Sequence, residues 1–99
     1  MMKTRQDYIS ILQANSSEIK QEFGVKSLRI FGSVARDEHH EGSDVDVCVE
    51  MSPKMFVLIR LKNYLENLLD SSVDVVRIHA HINPFLKSEI DRDGITIFQ

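Results

Sequence analysis

Two carboxylates and one glycine–serine pair are the residues of this chain best placed to do chemistry. Asp44 and Asp46 stand one residue apart in the run Asp44-Val45-Asp46-Val47-Cys48-Val49, whose β-branched residues favour a strand. Side chains at i and i+2 of a strand share a face, so the two carboxylates aim together, and Val45, Val47 and Val49 enter a core on the other side. Adjacent carboxylates repel one another, and a divalent cation offsets that repulsion. Mg²⁺ prefers oxygen ligands and commonly sits between one or two carboxylates and substrate phosphates. The chemistry expected is therefore phosphoryl or nucleotidyl transfer. Upstream, Gly32-Ser33 ends a strand-like run; Gly32 has no Cβ to block an approaching phosphate, and a helix opening near Ser33 aims its N–H groups there. This is not a Walker loop, since the chain contains no G-x-x-x-x-G-K-[ST].

The elements that must position these residues follow from periodicity. Residues 4–23 read as one helix with a Thr4/Asp7 capping box, a stripe of Tyr8, Ile11 or Leu12, Ile19 and Phe23, and a terminating Gly24. Residues 25–31 form a first strand that puts Leu28 and Ile30 on one face, Arg29 and Phe31 on the other, and delivers Gly32-Ser33 to its edge. Arg36 comes about one helical turn after Ser33; it either reaches the phosphate space or pairs with Asp37 or Glu38. The polar residues 37–43 form a loop with His39 and His40 solvated, and Ser43 caps or orients the turn into Asp44. Residues 44–50 are strand two. Pro53 opens a helix over residues 54–69 with a Val57, Leu58, Leu61, Leu65, Leu68 stripe. Residues 73–78 are strand three, in which Asp74 lies between valines, either satisfied at a site or facing solvent on an edge. His79 and His81 fall on the surface. A short helix over 84–90, a turn over 91–94 and a strand over 95–98 complete the chain. Four strands interleaved with helices predict an α/β (α+β) fold, a small mixed sheet of three to four strands with helices packed on it.

Composition bounds the function. Ninety-nine residues, 42% apolar and 27% charged, suit one domain spanning 1–99 with a single core. A net charge of −3 offers no bulk attraction to polynucleotides, so direct nucleic-acid binding is not expected. Cys48 alone cannot form an intrachain disulfide, and no signal peptide or membrane-length apolar run is present, which together predict a cytoplasmic protein.

Gly32-Ser33, ten intervening residues and Asp44-Val45-Asp46 resemble the G-S-x10-D-x-D signature of the DNA polymerase beta-like nucleotidyltransferase superfamily. The short chain and the Gly-Ser-Val-Ala-Arg run resemble its minimal, MNT-domain members. The resemblance implies a nucleotidyltransferase fold in which Asp44, Asp46 and Asp74 are catalytic and hold two Mg²⁺ ions. By the same resemblance Gly32, Ser33, Arg36 and Ser43 would bind the nucleotide, and Asp74 would take the proton of an attacking hydroxyl. Family members often carry Gly where this chain has Asp37. MNT proteins are antitoxins of HEPN-domain toxins and move AMP from ATP to a toxin tyrosine, which is the function expected here, with an oligomer open as an option. Two alternatives remain: an antitoxin that acts by occlusion through exposed apolar residues among Phe56, Phe85 and Phe98, and a small-molecule, aminoglycoside-type nucleotidyltransferase.

Overall fold

The computed structural model describes residues 3–99. Thr4 caps the first helix as its spacing predicts: its hydroxyl accepts from the Asp7 N–H, and the Asp7 carboxylate accepts from the Thr4 N–H. Residues 4–23 are nonetheless two helices, α1 (Arg5–Ala14) and α2 (Ser16–Phe23). Asn15 makes the break: its backbone leaves helical geometry at φ −107°, ψ 13°, and its side-chain amide donates to the Ile11 carbonyl at 2.8 Å. Asn and Ser compete with the helix for its own backbone groups, and Asn15-Ser16-Ser17 places three such residues together. Gly24 then ends α2 in the left-handed conformation.

A four-stranded mixed sheet follows in the order β3-β2-β1-β4. β1 (Ser27–Phe31) runs antiparallel to both β2 (Val45–Glu50) and β4 (Ile95–Phe98), and β3 (Val73–Arg77) runs parallel to β2. The parallel pair needs a crossover, which α4 (Met55–Leu69) provides. One face of the sheet carries the main core: Leu28, Ile30, Val45, Val47 and Val49 pack with Leu12, Ile19, Leu61 and Leu65, all fully buried. On the other face Phe31, Cys48 and Ile90 form a smaller cluster, the last from α5 (Pro84–Asp93). Alternation along β2 therefore divides core from site as expected.

Several boundaries differ from the sequence reading. Pro53 lies outside α4, whose N-cap is Lys54. β1 begins at Ser27 rather than residue 25, and β3 ends at Arg77. The expected turn over 91–94 is the last turn of α5, which runs on because Lys87 pairs with Asp91 at 2.7 Å and the Gly94 N–H closes on the Ile90 carbonyl at 2.8 Å. Phe98 is buried in the main core and offers no surface, whereas Phe56 and Phe85 are exposed. His39 is half-buried, set edge-on to Tyr8 and hydrogen-bonded through Nε2 to the Lys3 carbonyl, so it is not solvated. Among the described residues, no helix is long and apolar enough to cross a membrane.

Candidate active site

β1 runs directly into α3 (Gly32–Ala35), and the junction is Gly32. Its φ of +73° lies in the left-handed region, and a Cβ there would fall on Oδ2 of Asp46. The glycine thus allows the phosphate-side turn and the carboxylate to lie against each other. Phe31, the N-cap of α3, gives no side-chain acceptor to the first helical turn. The leading N–H groups of that turn are left to an external acceptor. At four residues α3 is a single turn, so it offers those N–H groups rather than a macrodipole. Asp37 has φ +60°, a left-handed position that suits Gly and that Asp tolerates.

Asp46 occupies the middle of a row across the sheet, registered with Phe31 on β1 and with Asp74 on β3. In a parallel ladder, registered residues share a face at a strand spacing of about 4.8 Å, so the Asp46 and Asp74 carboxylates stand side by side. With Gly32, Ser33, Arg36, Phe31, Val76, Leu86 and Glu89 they line a cleft of about 370 Å³ between the sheet and α5. Burial, then the charges of Asp74, Asp44 and Glu89, push the Asp46 carboxyl up to about 6, and Arg36 opposes them. Asp74 is exposed, so it is not buried between its valine neighbours.

The remaining candidates separate. Asp44 precedes β2 and is exposed; its charge is felt at Asp46, but it does not line the cleft. Ser43 lies away from it, in a second cavity of about 330 Å³ with Tyr8, His40 and Ser72, and its hydroxyl accepts from the His40 N–H. Arg36 does both things its position allows. It lines the cleft and it is ion-paired, to Glu38 at 3.5 Å and to Asp93 at 3.1 Å. Asp93 and Glu89, both on α5, are the site residues missing from the sequence reading; only tertiary packing brings a helix that begins at Pro84, far downstream of Ser33, to the cleft.

The donors suit Mg²⁺. Among the described residues, no three His, Cys, Asp or Glu side chains stand close enough to chelate an ion by themselves. Mg²⁺ does not require that, since it usually keeps several waters and takes one or two carboxylates together with substrate phosphates. Asp46 and Asp74, mutually repelling beside an uncapped helical turn, meet that description.

The profile of the family described as Polymerase beta, Nucleotidyltransferase matches residues 13–99. This chain belongs to the polymerase beta nucleotidyltransferase family. A relative from Methanocaldococcus jannaschii, provisionally named a protein adenylyltransferase, is 39% identical over 98 residues, which are 97% of this chain and 100% of the relative. The protein adenylyltransferase MntA of Thermococcus cleftensis is 42% identical over 77 residues, 76% of this chain and 78% of its own. Among solved structures, a minimal nucleotidyltransferase superposes with a TM-score of 0.76 at 29% identity, covering 94% of this chain and 95% of that one. A Shewanella oneidensis tri-AMPylated HEPN toxin in complex with its MNT antitoxin gives a TM-score of 0.66 at 17% identity, over 91% and 71% of the chains, a likeness of fold. The minimal nucleotidyltransferase fold, the mixed sheet and the enzyme class expected from the G-S-x10-D-x-D signature are those of its relatives.

Proposed function

We propose that this chain transfers AMP from ATP to a hydroxyl of a protein partner, and that the partner is a HEPN-type toxin for which it is the antitoxin. The observation that carries the reading is the Asp46–Asp74 pair held side by side against the uncapped turn at Gly32. That arrangement puts acidic ligands next to N–H donors, the two halves of a site for a metal-bound triphosphate. The adenylyl donor and the protein acceptor are supported by the names of the relatives and by the AMPylated toxin held by a neighbour of the same fold.

Asp46 and Asp74 at the cleft, joined on the family resemblance by Asp44, whose charge reaches Asp46, would hold the Mg²⁺ ions, which when bound supply charge neutralisation on the phosphates and acidify the acceptor hydroxyl. The N–H groups at Gly32 and Ser33, the Ser33 hydroxyl and the Arg36 guanidinium would bind and orient the triphosphate. Its α-phosphorus then faces the acceptor in line. Asp74, exposed at the cleft mouth, takes the acceptor proton on its carboxylate as the oxygen–phosphorus bond forms. The bond from the α-phosphorus to the bridging oxygen breaks, and pyrophosphate leaves with that electron pair. No covalent enzyme intermediate is needed, so positioning and electrostatics supply most of the rate.

The test is to express the chain with the protein encoded beside it, ATP and Mg²⁺, and to weigh the partner by intact mass spectrometry. A gain of one or more AMP units that disappears in Asp44→Asn and Asp46→Asn supports the reading. A stable complex without added mass favours inhibition by occlusion, for which Met55, Phe56 and Ile59 form an exposed apolar stretch on α4. Neither mass gain nor complex points to a small-molecule acceptor.

A further inference from the structure

The charged residues of α5 are almost all committed to one another. Asp91 is held by Lys87 at 2.7 Å and by Arg29 at 3.7 Å, and Asp93 by Arg92 at 3.0 Å and Arg36 at 3.1 Å. Glu89 lies between these pairs, and among the described residues its carboxylate has neither an ion pair nor a hydrogen bond. It lines the catalytic cleft, facing two further carboxylates, Asp46 and Asp74. A carboxylate in that position repels phosphate oxygens, so its part of the cleft does not suit the triphosphate. One turn back on the same helical face is Phe85, 85% exposed, and beside it Leu86 lines the cleft wall. An exposed aromatic ring, a partly buried leucine and an unpaired acid thus form a continuous strip leading into the site. Aromatic anchors flanked by charge are the usual makings of an interface hot spot.

We propose that the α5 face of Phe85, Leu86 and Glu89 seats the acceptor segment of the partner protein, and that this segment carries a lysine or arginine close to the hydroxyl that receives AMP. The proposal rests on the protein-acceptor reading above. Charge complementarity selects the occupant. The free charges at this mouth, Asp74 and Glu89, are negative, and the nearby cations Lys87, Arg92 and Arg36 are already paired. Phe85 would pack on an apolar side chain of the segment, and Glu89 would pair with its cation. The acceptor hydroxyl then lies toward Asp46 and Asp74. The steering effect of such charge pairing acts chiefly on encounter and register.

The experiment compares wild type, Phe85→Ser, Glu89→Gln and Glu89→Lys in AMP transfer to a HEPN toxin, with ATP and toxin varied in turn. Phe85 and Glu89 are both exposed, so these variants keep the fold. Phe85→Ser and Glu89→Lys are expected to lower kcat/KM for the toxin about tenfold or more, and Glu89→Gln less. For Phe85→Ser, the KM for ATP and the thermal shift produced by Mg²⁺ with ATP stay within about twofold of wild type. Equal labelling by all four proteins overturns the docking surface while leaving the adenylyltransferase reading intact. Loss of the Mg²⁺–ATP shift in Glu89→Gln overturns it too, by placing Glu89 among the metal ligands. A wild-type dimer that Phe85→Ser converts to monomer would make the face a contact between two copies and end the proposal. Absence of labelling by wild type overturns the protein-acceptor reading itself, and this surface with it.

Discussion

The chemistry of this chain concentrates on a contact between a glycine and a carboxylate. Gly32 is left-handed and a Cβ there would fall on Asp46 Oδ2, so Gly32→Ala imposes backbone strain and displaces the carboxylate together. Left-handed strain on a residue with a Cβ is of order 1–2 kcal/mol, and an ångström of misplacement at a reacting centre costs on the order of 100-fold in rate. Gly32→Ala should therefore melt a few degrees lower and lose about 100-fold or more in AMP transfer; near-normal transfer would show that this contact positions nothing. Asp46 carries a second, opposite-signed consequence. Its folded pKa near 6 lies above the ordinary 3.8, so the folded state holds the proton more tightly than the unfolded one. The stability this group supports is complete below about pH 3.8 and is lost as pH rises through about 6. Asp46→Asn escapes that loss. Without metal it should be more stable than wild type at pH 7.5 by about 2 kcal/mol, the roughly 3 kcal/mol of the raised Asp46 pKa being reduced by solvent screening at this half-buried site, and equal to it near pH 4, while being inactive. Denaturation in EDTA at the two pH values checks it, and a variant destabilised at pH 7.5 would contradict it. The approach of Gly32 to Asp46 was legible in sequence because strand periodicity puts Asp46 on the face opposite the core, whereas Asp44, which precedes β2 and does not line the cleft, is not placed by that periodicity. The perturbed acidity of Asp46 was not legible, since it depends on β3 and α5 closing around it.

Elements governed by a single hydrophobic period were legible in sequence, and those in which side chains compete with that period were not. The β2 alternation, the α4 stripe and the four strands could be read because each satisfies a single repeat. Asn15 splits α1 from α2 through its bond to the Ile11 carbonyl, a choice that apolar spacing does not encode. The last turn of α5 forms because Asp91 and Asp93 find cations, and the partner of Asp93, Arg36, is 57 residues away in the chain. That pair fastens α5 to α3 at the edge of the cleft. Asp93 is only 10% exposed at its side chain; its hydrogen bonds and ion pairs to Arg92 above all, and to Arg36, hold its carboxyl below the usual range against the opposing effect of burial. Its role would be to keep the Arg36 guanidinium pre-set for the triphosphate, sparing the ordering of one long side chain on binding. Asp93→Asn should raise the KM for ATP about fivefold, from about 1 kcal/mol of lost pre-organisation, with kcat little changed. If KM stays constant and only the melting temperature falls, Asp93 is a staple between helices and nothing more.

For the whole molecule, the site works against the fold until its ligands arrive. Asp44, Asp46, Asp74 and Glu89 gather negative charge at one end of a chain whose net charge is already −3, and Arg36 is the cation that faces them in the cleft. ATP alone brings further negative charge to this region, and Mg²⁺ alone finds no preformed three-donor cluster among the described residues. Each should bind weakly by itself, and the pair should bind together, because each neutralises what repels the other. A ligand at 100 times its Kd stabilises the folded state by about 2.7 kcal/mol, and for a domain of this size 1 kcal/mol moves the midpoint by roughly 4–8 °C. Thermal melts at pH 7.5 should therefore rise by about 10 °C or more with Mg²⁺ and a non-hydrolysable ATP analogue together. The two separate shifts should sum to much less. EDTA should abolish the gain, and lowering the pH to 5, where Asp46 is largely protonated, should shrink it by competition between proton and metal for one carboxylate. Additive shifts from metal and nucleotide would mean that the two occupy independent sites, and the carboxylate row across β2 and β3 would no longer explain how this chain holds its substrate.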